Sequence, residues 1–301
     1  MGRKSQKAVL LLHKKSCNLP EVKQAVRDVQ DRGVDLQVVI PWRGRDQKAF
    51  IKDAIRSGAT RFIAGGGDGT VNGVVNNLMK KDRASKVSLG VMPLGTANDF
   101  ARGAGLPLDN LTAALHLAAT GEATPIDVGQ ANDSYFINVA SGGFGAEVTA
   151  TTPQDLKKAL GGSAYTLMGL VRVLKLEPYT GRVTLPDGTV TEWQMIVMAV
   201  GNNRYAGGAF EVAPKADPTD GLLDIAALAP ARAADLKQIS AELADPFNPE
   251  NRLLFYRQLK SFVIESDRPL HMNLDGEPMT DTRFAFKTHP RALSVVLGPG
   301  G

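Results

Sequence analysis

Residues 7–120 alternate short apolar runs with stretches in which apolar side chains recur at helical spacing. Lys7–Leu12, Asp35–Ile40, Arg61–Ala64 and Ser88–Met92 have strand length and are apolar or β-branched. Glu21–Arg32, Asp46–Ser57, Thr70–Lys80 and Asn110–Thr120 place apolar residues at three- and four-residue steps, which predicts helices. Alternation of this kind predicts a parallel sheet wrapped by helices. After about Asp127 the pattern changes. Tyr135–Val139, Arg182–Leu185, Glu192–Val200, Leu222–Leu228, Leu259–Glu265, Leu270–Leu274 and Arg283–Lys287 read as strands, separated by turn pairs such as Asp187-Gly188. Helices are expected to interrupt them at Tyr165–Leu174 and Ala231–Leu243, with a last short β run at Leu293–Leu297 and a loop at Asp245–Pro249. The expected fold class is therefore α/β in two domains, an α/β domain over 1–127 and a β-rich domain over 128–289.

Two of the strand-to-helix junctions carry chemistry. The run Ala64-Gly65-Gly66-Gly67-Asp68-Gly69-Thr70-Val71-Asn72 follows one apolar strand and opens a helix at about Thr70. Successive glycines let main-chain N–H groups approach an anion with no Cβ in the way, and the helix aims its positive end at the same place. Asp68 beside a phosphate site requires a cation or hydroxyl between the charges, which points to phosphoryl transfer. Leu89-Gly90-Val91-Met92-Pro93-Leu94-Gly95-Thr96-Ala97-Asn98-Asp99-Phe100 repeats the strand, turn and helix start. In a parallel sheet both turns fall at the carboxyl ends of strands, where ligands sit. A tight turn with Thr70 or Thr96 as helix N-cap explains either turn alone.

Composition narrows the picture only slightly. The chain has 301 residues, a net charge of +4 and a single cysteine, Cys17. This excludes an intramolecular disulfide and a thiolate zinc cluster and fits a reducing cytosol. No long Lys/Arg run or aromatic-basic interleaving marks a nucleic-acid binder. No apolar stretch approaches membrane-spanning length, and the N-terminus has no secretory pattern. The histidines lack metal-ligand pairing, Lys14-Lys15 and Arg43-Gly44-Arg45 carry no specific role, and nothing sets the oligomeric state. The chain also lacks the P-loop signature and the motifs of protein kinases, so phosphotransfer needs another scaffold.

Gly66-Gly67-Asp68-Gly69-Thr70 and Pro93–Phe100, taken together, resemble the diacylglycerol kinase catalytic-domain family, and within it the bacterial YegS-like lipid kinases. Gly142-Gly143-Phe144-Gly145, Gly201-Asn202, Gly207-Gly208, Asp220-Gly221-Leu222-Leu223-Asp224 and Asn273-Leu274-Asp275-Gly276-Glu277-Pro278 continue the match in order over nearly the whole chain. The resemblance implies a three-layer nucleotide-binding domain completed by residues 290–301, a sandwich-like second domain that takes lipid and metal, and a cleft between them. It implies ATP as co-substrate, Mg2+, and a membrane lipid such as phosphatidylglycerol or diacylglycerol, reached by a cytoplasmic protein from the membrane surface.

By the same resemblance, the nucleotide contacts fall at Pro41, Gly66, Gly67, Asp68, Gly69, Thr70, Val71, Asn72, Gly73 and Thr96, with phosphates on the N–H groups of Gly67–Val71. Asp68 holds catalytic Mg2+ or orients the loop. Asp217, Asp220 and Leu222 form a structural magnesium site from one carboxylate and main-chain carbonyls, although a lone Asp220-Gly221 also reads as a hairpin turn. Glu277 becomes the proton acceptor for the lipid hydroxyl, with Asp275 as its partner or alternative. If Asp275-Gly276-Glu277 is extended the two carboxylates share a face, and if it turns they splay. Three places depart from the family pattern: Gly73 replaces a Glu, Leu12-His13-Lys14-Lys15-Ser16 replaces N-P-x-[SA]-G at the end of the first strand, and Pro41 replaces a nucleotide-contacting Thr and offers only its carbonyl. An NAD kinase-like phosphotransferase, which shares the glycine loop and a segment like Gly162-Ser163-Ala164-Tyr165, is the enzymatic alternative. A binder that has lost turnover is the other.

Overall fold

The computed structural model describes residues 7–41, 43–80, 83–143, 177–208 and 210–299. Four strands, β1 (Ala8–Leu12), β2 (Leu36–Val39), β3 (Arg61–Gly66) and β4 (Ser88–Pro93), pair in parallel in the order β4-β3-β1-β2. Their two-residue period sorts the core. Ala8, Leu10 and Leu12 meet Val22, Ala25 and Val29 of helix α1 (Pro20–Asp31). Val9 and Leu11 face the opposite core, with Ile51 of α2 (Gly44–Arg56) and Val71, Val74, Val75 and Leu78 of α3 (Asp68–Met79). Two more helices follow, α4 (Asp99–Gly103) and α5 (Leu111–Thr120), and α5 packs beside α1. Arg61, a charge at the head of a buried strand, donates to the Ala118 and Gly121 carbonyls at 2.8 Å each. A cation at the end of α5 meets the negative pole of the helix.

The second half adds β5 (Ala123–Ala131), β6 (Ser134–Phe136), β7 (Val139–Gly142), β8 (Tyr179–Thr184), β9 (Val190–Met195) and β10 (Val197–Gly201). It continues with the short pair β11 (Tyr205–Ala206) and β12 (Phe210–Glu211), then β13 (Leu223–Leu228) and helix α6 (Leu236–Ala244). The last strands are β14 (Leu254–Leu259), β15 (Ser261–Leu274) and β16 (Glu277–Val296). Val200, Ile225, Phe262, Phe284 and Phe286 share its core. β16 serves both halves: it pairs antiparallel with β15 up to Lys287, antiparallel with β5, and parallel with β4 through Ser294 and Val295. One hydrogen-bonded path therefore runs β14-β13-β10-β7-β15-β16-β4-β3-β1-β2.

The α/β class agrees with the sequence pattern, while several boundaries differ for local reasons. The expected runs 259–265 and 270–274 fall, from Ser261 on, in one strand with an irregularity between Glu265 and Leu270 while Leu259 closes β14, and 283–287 joins 293–296 across a register shift between His289 and Leu293. The run Tyr135–Val139 breaks because the N–H groups of Ile137, Asn138 and Val139 turn to a side chain instead of a strand. β5 escapes the pattern because Pro125, Gly129 and Gln130 weaken its signal; a Cβ on Gly129 would lie 2.4 Å from the Phe136 ring. Helix α3 starts at Asp68, not Thr70, and its N-cap Gly67 offers no side chain; the N-cap position of α4 is Asn98, not Thr96, and its side chain makes no capping bond. The helix expected at Tyr165–Leu174 lies outside the described residues.

Polar side chains fix α3 against the second half. Asn72 Nδ2 donates to the Tyr135 carbonyl at 2.9 Å, and Asn76 makes a two-way pair with the Tyr135 backbone at 2.8 and 3.0 Å. Asn76→Ala should cost roughly 1–3 kcal/mol, because the Tyr135 N–H loses its side-chain acceptor while the Tyr135 carbonyl keeps Asn72. Urea unfolding checks this; a midpoint equal to that of the parent protein would refute it.

Candidate active site

The two glycine turns meet through their backbones. They end neighbouring strands, β3 and β4, and a Cβ on Gly95 would lie 2.5 Å from the Gly67 Cα. Thr70 folds back over Gly66, where a Cβ would lie 2.3 Å from its Oγ1. Of the five N–H groups assigned to phosphate from the sequence, those of Thr70 and Val71 donate to the Gly67 carbonyl at 2.9 and 3.1 Å. Asp68 and Gly69, at the first two helical positions, have N–H groups outside the helical ladder and at its positive end. The second turn closes on itself, because Asn98, at φ 50°, accepts from Gly95 N at 2.8 Å and donates to Gly95 O at 2.9 Å. Thr96 is left exposed at its apex.

Asp68 ties the two turns together. Its Oδ1 accepts from Phe100 N at the start of α4, 3.2 Å away, and burial pushes its carboxyl above the usual range, with Asp99 adding repulsion. Asp99 in turn accepts from Gly208 N with both oxygens, at 2.9 and 3.1 Å, so α4 is fastened to β11 and the second half.

Asp275-Gly276 is a tight hairpin turn, with φ of 49° and 98° and Leu274 paired to Glu277. The two carboxylates therefore splay. Asp275 turns inward and accepts from Ile137 N at 2.7 Å, Val139 N at 2.9 Å and Asn138 N at 3.1 Å. Burial pushes its carboxyl up to about 7 against the pull of those three donors. Gly276 rests on α3, where a Cβ would lie 3.1 Å from Gly69 N. Glu277 is exposed, and its Oε1 lies 3.2 Å from the position a Cβ on Gly69 would take. The hairpin tip thus carries one free carboxylate to the start of α3 and locks the other away.

Asp217, Asp220 and Leu222 lie on the segment before β13. Asp217 Oδ1 accepts from Thr219 N and Oγ1 at 2.9 and 2.6 Å, and Asp220 Oδ1 accepts from Leu222 N at 2.8 Å. Burial, with Asp217 and Asp127 nearby, pushes the Asp220 carboxyl up. Among the described residues no three His, Cys, Asp or Glu side chains converge on a metal position. Two carboxylates with main-chain carbonyls remain a hard, all-oxygen donor set of the kind magnesium takes, and their mutual repulsion is what a cation relieves.

The remaining sequence-assigned positions divide by environment. Val71 and Asn72 are buried, Val71 in the core and Asn72 on Tyr135, so neither side chain faces the cleft. Beside Gly73 sits Gln47 of α2, its Oε1 3.3 Å from where a Cβ would be and bonded to Asn77 at 3.0 Å. Pro41 follows β2, at the sheet edge. Sequence reasoning passed over Asp127, which is fully buried on β5: it accepts from Gly221 N at 2.6 Å and Arg291 N at 2.7 Å, and its own N–H donates to Pro218 O. The available signal was a carboxylate between two apolar residues, Ile126-Asp127-Val128.

Residues 7–131 match the family described as the diacylglycerol kinase catalytic domain, and residues 138–297 match the YegS C-terminal NAD kinase beta sandwich-like domain. A "Probable lipid kinase YegS-like" of Chromohalobacter salexigens is 41% identical over 97% of this chain and 93% of its own length. The chain belongs to the YegS-like lipid kinase family. A Pseudomonas fluorescens member of the same name is 42% identical over 97% of this chain and 95% of that protein. A crystal structure described as that of "a putative diacylglycerol kinase from Bacillus anthracis str. Sterne" is 25% identical and superposes with a TM-score of 0.81 over 99% of this chain and 97% of that one. Like its relatives by name, this YegS-like chain is a kinase. Among the described residues no helix is long and apolar enough to cross a membrane.

Asp275→Ala should destabilise the fold by roughly 3–5 kcal/mol, since three buried N–H groups lose their acceptor together. Chemical denaturation measures it, and a loss under about 1 kcal/mol would show that the carboxylate is not what holds residues 137–139.

Proposed function

We propose that this lipid kinase moves the γ-phosphate of ATP to a hydroxyl of a membrane lipid such as phosphatidylglycerol or diacylglycerol. The position of Glu277 carries the reading: its carboxylate lies over Gly69, at the N-terminus of α3, where the glycine turn presents N–H groups to an anion. The nucleotide domain in this reading is residues 1–127 with 290–301, and the lipid and metal domain is 128–289.

The Asp68 and Gly69 N–H groups, with the positive end of α3, hold the terminal phosphates, and Thr96 adds a hydroxyl from the facing turn. Gly66, Gly67 and Gly95 leave room for the close approach, and Pro41 and Gly73 border the nucleotide with backbone only. Asp68 orients the two turns through Phe100 N. Asp217, Asp220 and Leu222 would hold Mg2+ by oxygen. A bound magnesium ion would supply positive charge that offsets the repulsion of Asp217 and Asp220 and so shapes that side of the cleft. The lipid hydroxyl oxygen attacks the γ-phosphorus, the bond to the β-bridging oxygen breaks, ADP leaves, and Glu277 takes the hydroxyl proton. Through a loose transition state this deprotonation comes late, so a carboxylate suffices as acceptor. Asp275, with both oxygens bound by backbone, positions the turn that presents Glu277.

The test is transfer of label from γ-labelled ATP with Mg2+ into separate lipid micelles or into NAD. Label in a lipid supports the reading and identifies the acceptor; label in NAD alone overturns it, and so does nucleotide binding with no transfer to any lipid. Glu277→Gln should lower turnover about 10²- to 10⁴-fold with ATP affinity unchanged. Full turnover in that variant would move the proton acceptor elsewhere.

A further inference from the structure

The segment that carries Asp217, Asp220 and Leu222 leaves one anchored stretch and enters another. At its start, Lys215 N donates to the Tyr256 hydroxyl at 3.1 Å, Lys215 O accepts from Gln258 Nε2 at 3.4 Å, and Ala216 O accepts from Arg204 Nε at 3.1 Å. At its end stands Asp224, the first polar residue of β13. Asp224 accepts from the same Tyr256 hydroxyl and, at 3.2 and 3.3 Å, from the same Gln258 carboxamide. Two side chains of β14 therefore each touch both ends of the segment. Strand register makes this geometry available, because Asp224 lies opposite Gln258 and diagonal to Tyr256 on one face of the β13-β14 pair.

Packing alone gives no reason for these polar atoms. The Tyr256 ring is buried with Ala226 and Leu254 and meets the Phe247 ring edge-on at 5.3 Å, contacts that a phenylalanine would keep. Asp224 is 1% exposed in the run Leu223-Asp224-Ile225-Ala226, where an apolar residue would avoid the cost of burying a carboxylate. What the hydroxyl and carboxamide add is closure of residues 215–224 into a ring, so that the loop does not have to be ordered by the ligand it receives.

We infer that Tyr256 and Gln258 are positioning residues for the cation loop: by fastening Lys215 to Asp224 they hold Asp217, Asp220 and the Leu222 carbonyl ready for a hard divalent cation. The inference rests on the reading of that loop as a magnesium site. Neither side chain is a ligand; each acts through the backbone it grips.

Mn2+ binding followed by electron paramagnetic resonance, without nucleotide, tests both levels on the full chain. Asp220→Ala should abolish binding. Tyr256→Phe should weaken it about tenfold and raise the Mg2+ concentration for half-maximal lipid phosphorylation by the same factor, with kcat at saturating Mg2+ within about twofold. Gln258→Met, at a half-buried side chain, should shift both in the same direction by a smaller factor and carries the test if Tyr256→Phe does not fold. Parent-like Mn2+ affinity in both β14 variants, with binding lost in Asp220→Ala, overturns the inference and leaves the magnesium loop standing. Parent-like affinity in Asp220→Ala, or no Mn2+ binding by the parent protein, overturns the loop reading and this inference with it.

Discussion

Three turns from distant parts of the chain approach to backbone distance at the first turn of α3, and the site depends on that approach. Gly67 touches Gly95, and Gly276 touches Gly69, at distances where added Cβ atoms would fall 2.5 and 3.1 Å from backbone atoms. Side chains of any size would push the turns apart and separate the N–H groups at the start of α3 from the hairpin that brings Glu277. The glycines matter here for closeness, and at Gly276 also for a positive φ.

Closeness of this kind crowds carboxylates, and the protein compensates each one with backbone donors more than with cations. Asp275 takes three N–H groups, Asp127 two, Asp99 a bifurcated one, and Asp68 the start of α4. Every one of these bonds joins segments far apart in sequence. Asp99 therefore cross-links the halves through Gly208, the others join distant segments of the fold, and burial pushes Asp68 and Asp275 up in pKa. β16 makes the arrangement possible by running out of the second half, where it pairs with β15, into the first, where it pairs with β4. The register shift between His289 and Leu293 brings Arg291 N within 2.7 Å of Asp127 on the way.

Much of the fold was legible because local periodicity reports burial. The parallel strands and their helices appear in the sequence within one or two residues, and both glycine turns fall where the pattern changes from strand to helix. Less legible were features whose partners are remote. β5 lacks an apolar run because Gly129 makes room for Phe136, and the break at Ile137-Asn138 exists because Asp275, more than a hundred residues later, takes those N–H groups. Nothing local distinguishes Asp275 from Glu277 either; the positive φ at Asp275 and Gly276 turns one carboxylate inward and leaves the other exposed.

Residue types and short spacings determined by themselves that this chain has a glycine-rich turn opening a helix, a second turn like it, and carboxylates in tight turns, because backbone conformation and helix polarity are local properties. Which N–H groups remain outside the ladder of α3, which carboxylate is accessible, and which side chains fasten Lys215 to Asp224 were decided only by tertiary structure. Those are questions of which distant groups compete for the same donor or space, and that competition exists only once the strands are in register.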